Sequence, residues 1–112
     1  VMGALKEDVY TAAHLRLAEL AKAIGHPARV AILEYLSETT GCICGDISNA
    51  VPLAQPTISL HLKALREAGI IRGTVEGRAV CYCLNPDALA EVQTFLLLLQ
   101  DRATNESNNT CC

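Results

Sequence analysis

Along this chain the spacing of apolar residues changes from a helical period to an alternating one and back again. Val9, Ala13, Leu17, Leu20 and Ile24 recur every three or four residues, and Gly25 with Pro27 ends the run, which predicts a first helix over 8–24. Ile32, Leu33 and Leu36 stripe a second helix opening at Pro27, where a fixed φ and a missing N–H suit the first turn. Thr39, Thr40 and Gly41 break it. Residues 45–51 read as a short helix, 52–55 as a tight turn, and 56–68 as a longer helix on Ile58, Leu62 and Leu65, with Gly69 at the left-handed cap position. Past Gly69 the period falls to two: 71–75 and 79–84 flank Glu76-Gly77, a β-hairpin pattern with Val80, Tyr82 and Leu84 on one face. Asn85-Pro86 then starts a last helix striped by Leu89, Val92, Leu96 and Leu99 and widened by Phe95, Leu97 and Leu98. Residues 101–110 are polar and Asn-rich and are expected to form a disordered tail that carries Cys111 and Cys112.

This order of elements describes a mainly α domain with a β-hairpin wing, a winged helix-turn-helix over 1–100 followed by a flexible tail over 101–112. In that plan the longer helix enters the DNA major groove. Gln55, Thr57 and Ser59 near its start can reach base edges or phosphates, His61 and Lys63 follow, and Arg78 just past the hairpin tip can reach a phosphate or the minor groove. Each has a blander role open to it. Gln55 and Thr57 would serve as caps, Ser59 as solvated surface, and His61, beside Leu62, as a partly buried hydrogen-bonding ring. Leu60 is apolar where a groove-facing position favours polar groups, useful only for thymine methyls or packing, and is left out of the site.

With 112 residues, 51% of them apolar, the chain can bury one core without disulfide staples. No apolar run exceeds six residues, and the leucine-rich one, 95–99, is too short to span a bilayer, so a soluble cytoplasmic protein is expected. A net charge of −3 argues against a chain that coats nucleic acid nonspecifically, but it does not report local clustering. The apolar helices over 15–24 and 89–99 exceed what a lone winged domain can cover. A homodimer through the first and last helices follows, with half-sites about one turn, ~34 Å, apart. Six cysteines fall in three close pairs, Cys42/Cys44, Cys81/Cys83 and Cys111/Cys112, each closing almost no loop if oxidised within itself. Such pairs read as soft-metal ligands or redox-reactive thiols.

Three stretches, AIGHPARVAILEYL, AQPTISLHLKALREAGII and GTVEGRAVCYCLNP, together resemble the arsenic-repressor (ArsR/SmtB) family of bacterial metal-sensing transcription factors, over residues 18–88. The resemblance implies a homodimeric repressor on a palindromic operator that lets go when an ion binds. Members sensing arsenite, antimonite, cadmium or lead carry C-x-C, at times with a third cysteine, at the first helix of the helix-turn-helix. It therefore implies Cys42 and Cys44 as metal ligands, with trivalent arsenic or antimony as effector. Two departures stand out: Gly45 lies between the second thiol and Asp46, and Ile47 or Ser48 occupies the third cysteine's place. The family's zinc sensors use histidine and carboxylate pairs in the last helix, yet 86–102 contains no histidine, and no zinc site of that kind is expected.

Two residues two apart on a regular helix point about 200° from one another and cannot chelate. The expected solution sets Cys42 in the turn after Gly41 and Cys44 at the first helical position, where the helix end favours thiolate. Arsenic wants three sulfurs, so Cys81, Cys83, Cys111 and Cys112 are further candidates. Cys81 and Cys83 share a strand face about 6.6 Å apart, or are simply small residues under the wing. The alternatives are a thiol-redox repressor or a cadmium-, lead- or zinc-responsive one of the same fold. A thiol enzyme, such as an arsenate reductase, or a metal chaperone is not expected: there is no C-x-x-C, no Cys-x5-Arg phosphate loop and no His paired with a cysteine at readable spacing.

Overall fold

The computed structural model describes residues 9–45, 47, 50–77 and 79–106. Among the described residues four helices and three strands follow one another as α1 (Ala12–Ile24), α2 (Pro27–Glu38), β1 (Cys42–Cys44), α3 (Gln55–Ala68), β2 (Ile71–Glu76), β3 (Ala79–Leu84) and α4 (Pro86–Glu106). The winged helix-turn-helix expectation holds, with one strand more than the sequence suggested.

Helix α1 begins later than residue 8 because Thr11 caps it. The Thr11 hydroxyl accepts from His14 N at 3.0 Å and His14 Nδ1 accepts from Thr11 N at 3.3 Å, a capping box in which histidine replaces the usual Glu or Gln. Helix α2 opens on Pro27 as expected, and the ring of the preceding His26 accepts from Ala28 N at 3.0 Å. Leu20, Ile32, Leu36, Ile58, Leu65 and Ile70 are fully buried in one core, to which Ile47 and Ile71 add. The predicted stripe of α3 is the buried one.

Helix α3 closes at Gly69 with φ 88°, where an added Cβ would also lie 3.2 Å from the Arg16 guanidinium. That guanidinium is held there because Nη1 donates to Ala68 O at 2.7 Å and to Glu19 Oε1 at 2.8 Å, tying α1 to the end of α3. Gly69→Ala should cost about 1 kcal/mol or more through the left-handed backbone alone, read as a lower urea midpoint at unchanged slope.

The hairpin pairs Glu76 with Ala79, and Gly77, with φ 64°, turns the chain after β2. Strand β3 is central, in the order β1-β3-β2, and both pairings are antiparallel. Asn85 joins this sheet to α4. Its Oδ1 accepts from Asp87 N and from Arg72, and its Nδ2 donates to Gly69 O at 2.8 Å. Helix α4 runs on through Glu106, so the first six residues of the expected tail are helical, while 107–112, with Cys111 and Cys112, lie outside the described residues. Ala88, Leu89 and Val92 pack on the core, but Phe95, Leu96, Leu97, Leu98 and Leu99 stay 39–56% exposed. Among the described residues no helix is long and apolar enough to cross a membrane.

Candidate functional site

The C-x-C segment is a strand, and this corrects the expected helical placement of its thiols. Gly41 and Gly45 both take φ 88°, releasing the chain from α2 into β1 and turning it out again. Leu84 N donates to Gly41 O at 2.7 Å and Gly45 N to Val80 O at 3.3 Å, so backbone bonds bracket the strand at both ends. Gly45 thus belongs to the sheet edge. The short helix expected over 45–51 falls partly on residues 46, 48 and 49, outside the described residues. What the others show is a turn in which Ala50 N and Val51 N both donate to Ile47 O at 3.1 Å.

Antiparallel register sets Cys42 opposite Cys83, Ile43 opposite Tyr82 and Cys44 opposite Cys81. Because side chains alternate, Ile43, Tyr82 and Leu84 turn to the core, and the four cysteines share the other face. Both cross-strand pairs are disulfide-bonded, Cys42 to Cys83 and Cys44 to Cys81, each with a Cα–Cα separation of 4.0 Å. Cys42 and Cys44 are exposed, Cys83 is half-buried and Cys81 is buried. Arg72 and Thr74 of β2 lie opposite Cys83 and Cys81 and extend the same rows, with the Arg72 guanidinium turned to Asn85 and Asp87. In this bonded state the described residues hold no group of three or more His, Cys, Asp or Glu able to bind a metal ion. Reduction would free four thiols on one face.

The two bridges span 41 and 37 residues and are nested. Closing a loop of that length is worth ~4 kcal/mol in the chain-entropy account, and the inner bridge adds little because only two residues on each side remain to be constrained. Full reduction should therefore lower unfolding stability by ~4 kcal/mol in urea titration, whereas Cys44→Ser, which keeps the outer bridge, should cost the oxidised protein far less.

The outer surface of α3 carries Gln55, Thr57, Ser59 and Lys63, all exposed. Ala54 is the N-cap and makes no side-chain bond, so neither Gln55 nor Thr57 is used as a cap; Gln55 Nε2 instead reaches Ser59 Oγ at 3.3 Å. Buried Ile58, Leu62 and Leu65 fix which way this surface faces. Leu60 stands on it 67% exposed, which removes packing within the chain as its role. His61 turns to the flank that meets α2. Its Nδ1 accepts from Arg29 Nε at 3.1 Å, and its ring lies against His26 with centroids 4.5 Å apart. Burial pushes the His61 imidazole below its ordinary value, and the nearby His26 and Arg29 push the same way, so at neutral pH it is the uncharged acceptor Arg29 requires. Arg29, which also donates to Ala23 O at 3.2 Å, was not singled out in the sequence; its partner is 32 residues away. Arg78 lies outside the described residues.

The family described as bacterial regulatory protein, arsR family, matches residues 26–72. The chain is 38% identical over 78 residues to the uncharacterized HTH-type transcriptional regulator MJ1325 of Methanocaldococcus jannaschii, covering 69% of this chain and 86% of that one. It is also 38% identical over 74 residues to the HTH-type transcriptional repressor SmtB of Mycobacterium tuberculosis, covering 66% of this chain and 54% of SmtB, and so spans about half that relative's length. Against the arsenical resistance operon repressor of Escherichia coli K12 the identity is 38% over 69 residues, covering 61% and 58%. Among solved structures, an ArsR-like transcriptional regulator from Rhodococcus sp. RHA1 superposes with a TM-score of 0.71 over 88% of this chain and 92% of that one, at 19% identity, a likeness of fold.

Proposed function

The chain belongs to the ArsR family of regulatory proteins, and from that premise we propose a homodimeric transcriptional repressor that holds operator DNA with α3 and releases it when trivalent arsenic or antimony binds its thiols. The DNA contacts are Gln55, Thr57, Ser59 and Lys63, with Arg78 of the wing. Leu60 meets thymine methyls. His61 serves the helix from behind through Arg29 rather than reaching the groove.

One observation carries the effector reading: Cys42, Cys44, Cys81 and Cys83 lie in register on one face of the β1-β3 pair. Trivalent arsenic and antimony take three sulfurs as the base of a pyramid and keep a lone pair on the far side. Donors that all rise from one side of a sheet suit that shape, whereas zinc prefers ligands that surround it tetrahedrally. Cys42 and Cys44 are the leading ligands, and Cys81 or Cys83 gives the third sulfur. The fourth thiol is a spare.

The coupling runs through the backbone on both sides of the site. Strand β3 is half of the wing, and β1 leads through 45–54 into α3. An ion that draws the sulfurs of the two strands together acts on the wing and on the approach to the recognition helix at once. Weakening operator binding tenfold to a hundredfold needs a differential affinity of only about 1.4 to 2.8 kcal/mol.

The test uses reduced full-chain protein to select a duplex from a random-sequence pool, then follows fluorescence anisotropy of that duplex as arsenite, antimonite or zinc is added. Selection of a twofold-symmetric site and its release by arsenite or antimonite at a lower concentration than by zinc is the expected result. Failure to select any duplex removes the repressor reading, and a response to zinc alone removes the metalloid.

A further inference from the structure

We propose that the same four sulfurs are also a peroxide-responsive site whose oxidised form, the Cys42–Cys83 and Cys44–Cys81 pairing, excludes the metalloid. This rests on the effector reading above for what is excluded, though not for the pairing itself.

The register decides which disulfides form. Within one strand, Cys42 and Cys44, or Cys81 and Cys83, are two residues apart and separated by about 6.6 Å along the chain, too far for their β-carbons to come within bridging distance without breaking the strand. Across the strands each cysteine of β1 faces one of β3 with Cα atoms 4.0 Å apart. The Leu84–Gly41 and Gly45–Val80 backbone bonds hold that register without any help from sulfur. Reduced thiols therefore remain next to the partners with which they oxidise.

Access favours the reaction. Cys42 and Cys44 are exposed, so a peroxide reaches the β1 sulfurs first, and the resolving sulfurs wait opposite them on β3. For each pair the thiolate of β1 attacks the peroxide O–O bond and becomes a sulfenic acid while ROH leaves. The β3 thiol then displaces water to form S–S. Per pair, two thiols and one ROOH give one disulfide, ROH and H2O, the two electrons passing from sulfur to peroxide oxygen.

The two occupancies compete because four sulfurs cannot serve both. A three-sulfur ion needs at least one cysteine from each strand, and the outer and inner bridges together consume all four. Even one bridge leaves only two thiols, one on each strand. Oxidation therefore turns an arsenite-responsive protein into one that ignores arsenite, and reduction restores it.

The experiment uses full-chain protein carrying Cys111→Ser and Cys112→Ser, reduced with a phosphine and desalted, then divided and half treated with hydrogen peroxide. Peptide mapping by mass spectrometry reads connectivity, and equilibrium dialysis against arsenite with elemental detection reads uptake. The expected result is crossed Cys42–Cys83 and Cys44–Cys81 bridges, with uptake falling at least tenfold from one arsenic per protomer and returning after phosphine. Bridges within a strand or between protomers, or uptake unchanged by oxidation, overturn the proposal. If the reduced protein takes up no arsenite, the effector reading fails by itself, and connectivity alone then decides: crossed bridges formed by peroxide support the redox site, and any other pattern overturns it.

Discussion

With Cys42 and Cys44 both changed to serine, the reduced protein should still hold its operator but no longer release it to arsenite, its affinity changing less than twofold where the parent loses tenfold to a hundredfold. Serine is close in size to cysteine, both positions are solvent-exposed, and β1 is held by backbone bonds at Gly41 and Gly45, so the fold has little reason to respond. The chemistry changes completely. A hydroxyl stays protonated at neutral pH and is a hard donor, and the remaining Cys81 and Cys83 supply two sulfurs about 6.6 Å apart along one strand where three convergent ones are needed. Cys81→Ser or Cys83→Ser alone should give a weaker defect, because the other wing cysteine can still complete the set. The double change of both should match the β1 double variant. Operator anisotropy with arsenite titration separates these four proteins, and a Cys42→Ser/Cys44→Ser variant that releases like the parent would show that the effector is caught elsewhere on the chain.

Much of this architecture is legible in the sequence because its signals are local. The stripe of Ile58, Leu62 and Leu65, the Gly69 cap, the Pro27 start and the glycine turn at Gly77 each declare themselves within a dozen residues, and each is found in place. Strand β1 is the instructive miss. Three residues between glycines show no period of their own, and they are a strand only because β3, some 40 residues later, offers a partner; a C-x-C next to a helix-turn-helix pattern looks, locally, like the helix's threshold. The alternation that sets Cys81 and Cys83 on one face was readable, but their register against Cys42 and Cys44 was not, since nothing local fixes which residues pair between strands that far apart. His61 is a similar case: its neighbours Leu62 and Lys63 do not reveal that Arg29 and His26 close over its ring. The end of α4 was placed early for a different reason. Residues 101–105 are exposed and mostly polar, yet 101–106 contain no Gly or Pro, so nothing in them stops a helix already propagating from a packed start.

Charge placed on the outer half of α4 should dismantle the proposed homodimer. Helix α4 leaves the core after Val92, and five consecutive apolar side chains, Phe95 to Leu99, remain exposed on a single protomer. Phe95 and Leu98 border a groove with Ala13, His14, Arg16 and Leu17 of α1, the face through which a second copy is expected to pack. A glutamate at each of Phe95 and Leu98 would have to be buried without a partner in the dimer, at a cost of several kcal/mol per charge, while remaining solvated in the monomer. Phe95→Glu/Leu98→Glu should sediment as a monomer with an unaltered far-ultraviolet circular dichroism spectrum. It should also bind the operator at least a hundredfold more weakly, because two recognition helices joined by one interface capture the second half-site at high effective concentration and a free monomer does not. In the parent, the same two readouts should move together on dilution. A doubly charged variant that stays dimeric would place the interface on another surface of the domain, and one that is monomeric yet binds the full operator undiminished would show that a single α3 suffices.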